Sequence, residues 1–187
     1  DVRNSDMMDE GRRDMKNDLL IVVDMQNDLV DGALGTPEAQ AIVPRVAEKV
    51  RQFEGRVIFT QDTHDDQYLE TQEGRLLPVE HCIGGTHGWD IIDQLDSEND
   101  VTIEKDTFGA KELVDVLMDA HNETPITSIT LVGLCTDICV ISNALLIKAY
   151  LPEVPILVDA TCCAGVTPES HENALKAMEV CQIDIKR

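Results

Sequence analysis

The chain has 187 residues, 43% hydrophobic and 27% charged, which is length and balance enough for one domain with a sizeable buried core. A formal net charge of −21, with only 15 Lys and Arg, leaves no basic face to grip phosphates, which argues against nucleic acid and anionic membrane surfaces as partners. Aromatics at 3% give the core to Val, Ile, Leu and Ala, and six cysteines without zinc-finger spacing read as reduced thiols of a cytoplasmic protein, not as a disulfide framework.

The first 16 residues, DVRNSDMMDEGRRDMK, are charged and carry no apolar segment, so they predict a disordered extension and not a secretory signal, followed by one domain over 17–187. DLLIVVD (18–24) is the first of five continuous apolar runs, the pattern of strands covered on both faces. Pro44 suits a first helical position, with Val46, Ala47, Val50 and Phe53 following at one-face spacing. RVIFTQ (56–61) is the second strand. Residues 62–100 have no strong pattern and hold three of the five histidines; a loop of that length is usually functional. VTIEK (101–105), the amphipathic KELVDVLMDAH (111–121) and SITLVGL (128–134) come next. DICVISNALLIKAYL (137–151) is apolar almost all round and predicts a buried helix. After PILVDA (155–160), TPESHENALKAMEV (167–180) opens on a Thr cap and a first-turn proline, and QIDIK (182–186) is a weaker sixth strand. No apolar run reaches the roughly 18–20 residues of a membrane span. Strand and helix alternating in this way predict an α/β fold on a doubly wound, mostly parallel six-stranded sheet.

Open parallel sheets bind ligands beyond the carboxyl ends of their strands. The polar residues there are Asp24 after the first strand, Asp62 and His64 after the second, Lys105 after the third, and Thr136, Asp137 and Cys139 after the fourth. Singly, each has an ordinary explanation: Asp24 as a turn cap, Lys105 as a solvated charge, Cys139 as a small core hydrophobe. Together they supply a base, a cation and a nucleophile on one rim. If Thr136 or Asp137 caps the following helix, Cys139 lies in its first turn, where the helix dipole and a nearby ammonium both favour thiolate. Cys135 and Cys139 are four residues apart, so a regulatory dithiol in a non-catalytic protein is the competing reading.

DMQNDL around Asp24, EKDTFGA around Lys105 and GLCTDICV around Cys139, in order over residues 18–187, resemble the signatures of the isochorismatase-like cysteine hydrolases, the nicotinamidase branch in particular. The resemblance implies a three-layer α/β/α fold and an Asp24–Lys105–Cys139 triad that cleaves a small amide through a thioester, with nicotinamide the leading substrate. Other small amides, ureido or carbamoyl compounds are the alternatives. It also implies a cis Leu134–Cys135 bond shaping an oxyanion hole from the amides of Cys135 and Cys139, a substrate side that includes Leu29, Leu134 and Phe108, and a homo-oligomer. Asp62-Thr63-His64, with His81 in LPVEHC, resembles the family's metal site; one carboxylate and two imidazoles suit zinc, with iron or manganese as alternatives. Glu73 is a further candidate ligand, ranked below those three. Nicotinamidases usually stack the ring between aromatics where this chain has Leu29 and Leu77, so the likeness reaches the hydrolase chemistry more firmly than the ring. Trp89 makes up for them only if its loop folds back.

Overall fold

The computed structural model describes residues 16–187, so the predicted N-terminal extension over 1–16 falls, all but Lys16, outside the described residues. The five apolar runs and the weaker sixth are strands: β1 (Asp18–Val23), β2 (Arg56–Asp62), β3 (Val101–Lys105), β4 (Ser128–Leu134), β5 (Ile156–Ala164) and β6 (Asp184–Lys186). They pair in parallel throughout, in the order β3-β2-β1-β4-β5-β6. The longer helices are α2 (Pro37–Gln52), α4 (Lys111–Glu123), α5 (Ile141–Tyr150) and α6 (Pro168–Val180), with two short ones, α1 (Asn27–Val30) and α3 (Gln72–Leu76).

Side chains alternate across a strand, and β1 divides accordingly. Leu19, Ile21 and Val23 join Leu113 and Leu117 of α4, Ala144 and Ile147 of α5, and Leu175 and Met178 of α6 in one core cluster. Leu20 and Val22 join Ala39, Ile42 and Val46 of α2 in the other. Three layers follow, helices on both faces of one sheet, as the sequence implied. Chain order runs outward from β1 through β2 to β3, then resumes on the other side of β1 with β4. The crevice beyond the ends of β1 and β4 is therefore the topological switch point, where such sheets bind ligands.

Three local expectations change. Pro44 does not start its helix: Thr36 does, its hydroxyl accepting from Ala39 N, with Pro37 in the first turn. Pro44 falls mid-helix on the exposed side, where a missing amide hydrogen is tolerated more readily. Strand β5 runs past PILVDA to Ala164, because its register slips between Leu131 and Gly133 of β4. The slipped segment is held by Asp159, which accepts from the Thr161 amide and hydroxyl and lies 3.1 Å from Lys49 Nζ. The segment after β4 is no simple capped α-helix: Thr136–Val140 forms a π-helical turn without a side-chain cap, and α5 begins only at Ile141. Nor is α5 buried all round, since Leu145 and Tyr150 are exposed.

Candidate active site and metal centre

At the end of β1 the chain turns sharply. Asp24 takes a positive φ of 49°, its amide donates to the Thr60 carbonyl of β2, and its Oδ1 accepts from the Thr60 hydroxyl at 2.7 Å. Beside it, Gly133 lets β4 approach β1 closely: with φ of 116°, a Cβ there would lie 2.2 Å from the Val23 carbonyl oxygen. The next bond but one, Leu134–Cys135, is cis. The Cys135 carbonyl then accepts from Ile138 N and Val140 N, closing the π-turn that carries Cys139.

Lys105, at the end of β3, reaches under both strands. Its Nζ lies 2.8 Å from Asp24 Oδ2, 3.4 Å from Cys139 Sγ and 3.4 Å from Asp62 Oδ1, and it donates to the Thr107 carbonyl at 3.1 Å. Asp24, Lys105 and Cys139 are all buried, the thiol residue 7% exposed. The Asp24–Lys105 contact is a fully buried ion pair through Asp24 Oδ2, while Oδ1 is taken by the Thr60 hydroxyl.

Burial lifts the Asp24 carboxyl above its ordinary range against the pull of Lys105. It also opposes charge on Lys105, yet Asp24, Cys139 and Asp62 together hold the ammonium above its usual value. For Cys139, burial followed by the charge of Asp24 outweighs Lys105 and pushes the thiol well above its usual value. The dipole and ammonium that favour thiolate in the sequence reading are opposed here by desolvation. The half-buried Cys135 thiol is pushed up to about 12, by burial and then by Asp137.

Asp62 faces two ways. One oxygen meets Lys105; Oδ2 lies 3.0 Å from His64 Nε2 and 3.7 Å from His81 Nε2. Glu73 Oε1 lies 3.7 and 3.8 Å from the same two nitrogens. One donor atom from each of Asp62, His64, Glu73 and His81 lies within 4.8 Å of all the others. Glu73, ranked low from sequence, therefore belongs with the other three; the turn of α3, capped by Thr71 through Gly74 N, swings it inward. Two imidazoles and two carboxylates suit zinc, iron or manganese. The second shell fits as well: His81 Nδ1 pairs with the Val79 carbonyl at 2.8 Å, which turns Nε2 toward the cluster, and Tyr68 packs on both rings with centroids 4.7 and 5.0 Å away. Burial works against ionisation of Asp62, yet His64, His81 and Lys105 hold its carboxyl well below the usual range.

Sequence reasoning passed over Gln26, Asn27 and Asp28 as turn residues. Each side chain staples part of the 62–91 loop. Gln26 Nε2 donates to the carbonyls of Asp62 and Trp89, and its Oε1 accepts from Asp62 N. Asn27 Nδ2 donates to the His87 carbonyl. Asp28 Oδ2 accepts from the amide of Cys82, the residue after His81. Their signal was proximity to Asp24 in DMQNDL, a stretch too polar for the end of a buried strand. Trp89 does fold back, but its indole N–H is fixed on the Thr63 hydroxyl at 2.8 Å. Among the residues expected to face substrate, Leu29 and Leu134 are buried in the core beneath α2, and Phe108 is 45% exposed on the β3–α4 loop.

No helix among the described residues is long and apolar enough to cross a membrane. The uncharacterized isochorismatase family protein PncA of Bacillus subtilis (strain 168) is 32% identical over 171 residues, covering 83% of this chain and 91% of the relative. A probable inactive nicotinamidase of Arabidopsis thaliana is 31% identical over 169 residues, covering 83% and 85% respectively. Among solved structures, the pyrazinamidase of Pyrococcus horikoshii in complex with zinc superposes with a TM-score of 0.79 at 28% identity, over 91% of this chain and 99% of that one. The isochorismatase domain model matches residues 18–185, from the first residue of β1 into β6 and across every group described above, and the chain belongs to the isochorismatase family.

Proposed function

We propose that this protein is a cysteine-dependent amidohydrolase that cleaves a small amide, nicotinamide being the leading substrate, to a carboxylate and ammonia. The observation that carries this reading is one buried ammonium, Lys105, lying 2.8 Å from the Asp24 carboxylate and 3.4 Å from the Cys139 thiol. The structural neighbour called a pyrazinamidase supports a substrate of this kind, whereas the Arabidopsis thaliana relative is called a probable inactive nicotinamidase.

The thiol proton passes to Asp24 Oδ2 as Cys139 Sγ bonds to the amide carbonyl carbon, and Lys105 offsets the charge that develops on sulfur. The backbone amides of Cys135 and Cys139 are the donors assigned to the oxyanion. The C–N bond breaks as Asp24 returns its proton to nitrogen, and ammonia leaves a thioester. Water then adds to the thioester and gives a proton to Asp24; the C–S bond breaks and the thiol is restored. A carboxyl lifted by burial suits both halves of this cycle, because it accepts and releases a proton nearer neutral pH than an ordinary aspartate does. Bound by Asp62, His64, Glu73 and His81, a divalent ion, zinc first and iron or manganese next, would supply a Lewis-acid anchor for a polar atom of the substrate.

A regulatory Cys135–Cys139 dithiol fits less well, since both are free cysteines and the Cys139 thiol lies against the Lys105 ammonium. Ammonia release over a panel of small amides, with nicotinamide and pyrazinamide included, tests the proposal. Turnover that vanishes in Cys139→Ala supports it, and turnover retained in that variant rules it out.

A further inference from the structure

Asn143 is fully buried on α5, one turn after Cys139, and no part of the proposed reaction uses it. Its side-chain amide bonds three backbone groups from two separate elements, with both N–H donors used. Nδ2 donates to the Cys139 carbonyl at 2.8 Å and to the Phe108 carbonyl at 3.2 Å; Oδ1 accepts from Ala110 N at 2.8 Å. The first of these groups belongs to the turn that carries the thiol. The other two belong to the β3–α4 loop, which begins directly after Lys105 and whose Thr107 carbonyl accepts from the Lys105 ammonium. Gly109 lies against the same seam: a Cβ there would sit 3.3 Å from Leu146 Cδ2 and 3.6 Å from the Ser142 carbonyl of α5.

We infer that Asn143 is a positioning residue that fixes the distance between Cys139 and Lys105 by tying the thiol's turn to the lysine's loop. The inference rests on Cys139 being the nucleophile. A buried amide bonded at both donors and at its oxygen is rigid, because every alternative placement strands a donor or an acceptor. Three backbone groups bonded to one side chain can hardly drift apart. The groups that face Cys139 Sγ are Lys105 from β3 and Asp24 from the end of β1, with Asp62 of β2 behind the lysine. None of them touches Asn143, so its influence on the thiol passes through backbone placement.

Asn143→Ser keeps a hydroxyl that can bond the carbonyl four residues back, but it is too short to bridge to the loop. The test measures the rate of Cys139 alkylation by iodoacetamide at pH 8, resolved by peptide mass spectrometry, with the exposed Cys181 as internal control for the reagent and the buried Cys163 as control for unfolding. About tenfold slower alkylation is expected, since misplacement on the 1 Å scale costs up to about a hundredfold in well-oriented sites. Cys181 should be unaffected. In a Lys105→Met background the same substitution should add less than twofold, because the distance it controls has lost one end. Cys139 alkylation within twofold of wild type in folded Asn143→Ser overturns the inference, and so does an undiminished effect in the Lys105→Met background. Should Asn143→Ser fail to fold, Asn143→Ala, which favours the helix, carries the same expectations. Ammonia release retained by Cys139→Ala would instead sink the nucleophile assignment itself, so the two failures are distinguishable.

Discussion

Gln26→Leu removes a buried amide while keeping roughly the same volume. Strand β1 leaves the sheet after Val23, and β2 runs on to Asp62; the Gln26 side chain takes the place of the missing rung, pairing with both the N–H and the C=O of Asp62. The Trp89 carbonyl keeps a second donor, Gln61 Nε2 at 2.9 Å. Two buried backbone groups are therefore stranded, at about 1–3 kcal/mol each, for an expected loss of about 2–6 kcal/mol out of a typical 5–15. Urea unfolding of metal-free protein should show a lower midpoint with an unchanged slope. Because Asp62 is also held as a candidate ligand, zinc affinity measured by competition with a chromophoric chelator should fall about 10–100-fold. A stability loss below about 0.5 kcal/mol together with unaltered zinc affinity would refute the reasoning.

Cys135→Ala should leave ammonia release within a few-fold of wild type, because only its backbone amide has a role; a severe loss at unchanged stability would bring its thiol into the chemistry. Cys139 alkylation should climb with pH beyond 9 without levelling off, since a thiol pushed up by burial is little ionised below that point; a plateau below pH 8 would contradict the assignment. Protein purified without chelator should carry one divalent ion per chain by elemental analysis, and Glu73→Gln should weaken zinc binding while leaving the fold intact. Asp62 is held low, so in metal-free protein its stabilisation is present above the ordinary carboxylate range and fades as pH falls below about 3.9; Asp62→Asn should flatten that acid limb of the unfolding curve.

The strands and the rim were legible because continuous apolar runs mark buried parallel strands, and the residue after each run is forced to the carboxyl edge. Asp24, Asp62, Lys105 and Cys139 needed nothing else. Hydrophobic pattern says nothing about side chains that bond backbone across a fold. Gln26, Asp28 and Asn143 act on partners 36, 54 and 33 residues away, so they read as turn or helix filler. Thiol ionisation is only partly legible for a related reason. A dipole and an ammonium can be placed from local spacing, whereas the desolvation that opposes them depends on what closes over Cys139. Strand β5 was cut short because TCCA is not an apolar run; its pairing comes from a register slip that only the neighbouring strand defines.

The stapling of the 81–91 segment by side chains, and of the triad by the central strand, also divides the molecule by how it opens. Asp24 is continuous with β1, which is paired on both sides and fully buried from Leu19 to Val23, so amides around it should exchange with solvent only through global unfolding. The His81 segment lies outside the sheet ladder, fastened by side chains of Gln26, Asn27 and Asp28 and by isolated backbone bonds to residues 25–28 and His64, so it can open at a lower cost than β1. In mild denaturant, metal should therefore leave before the nucleophile's surroundings melt, giving a metal-free state with an intact triad that rebinds metal without refolding.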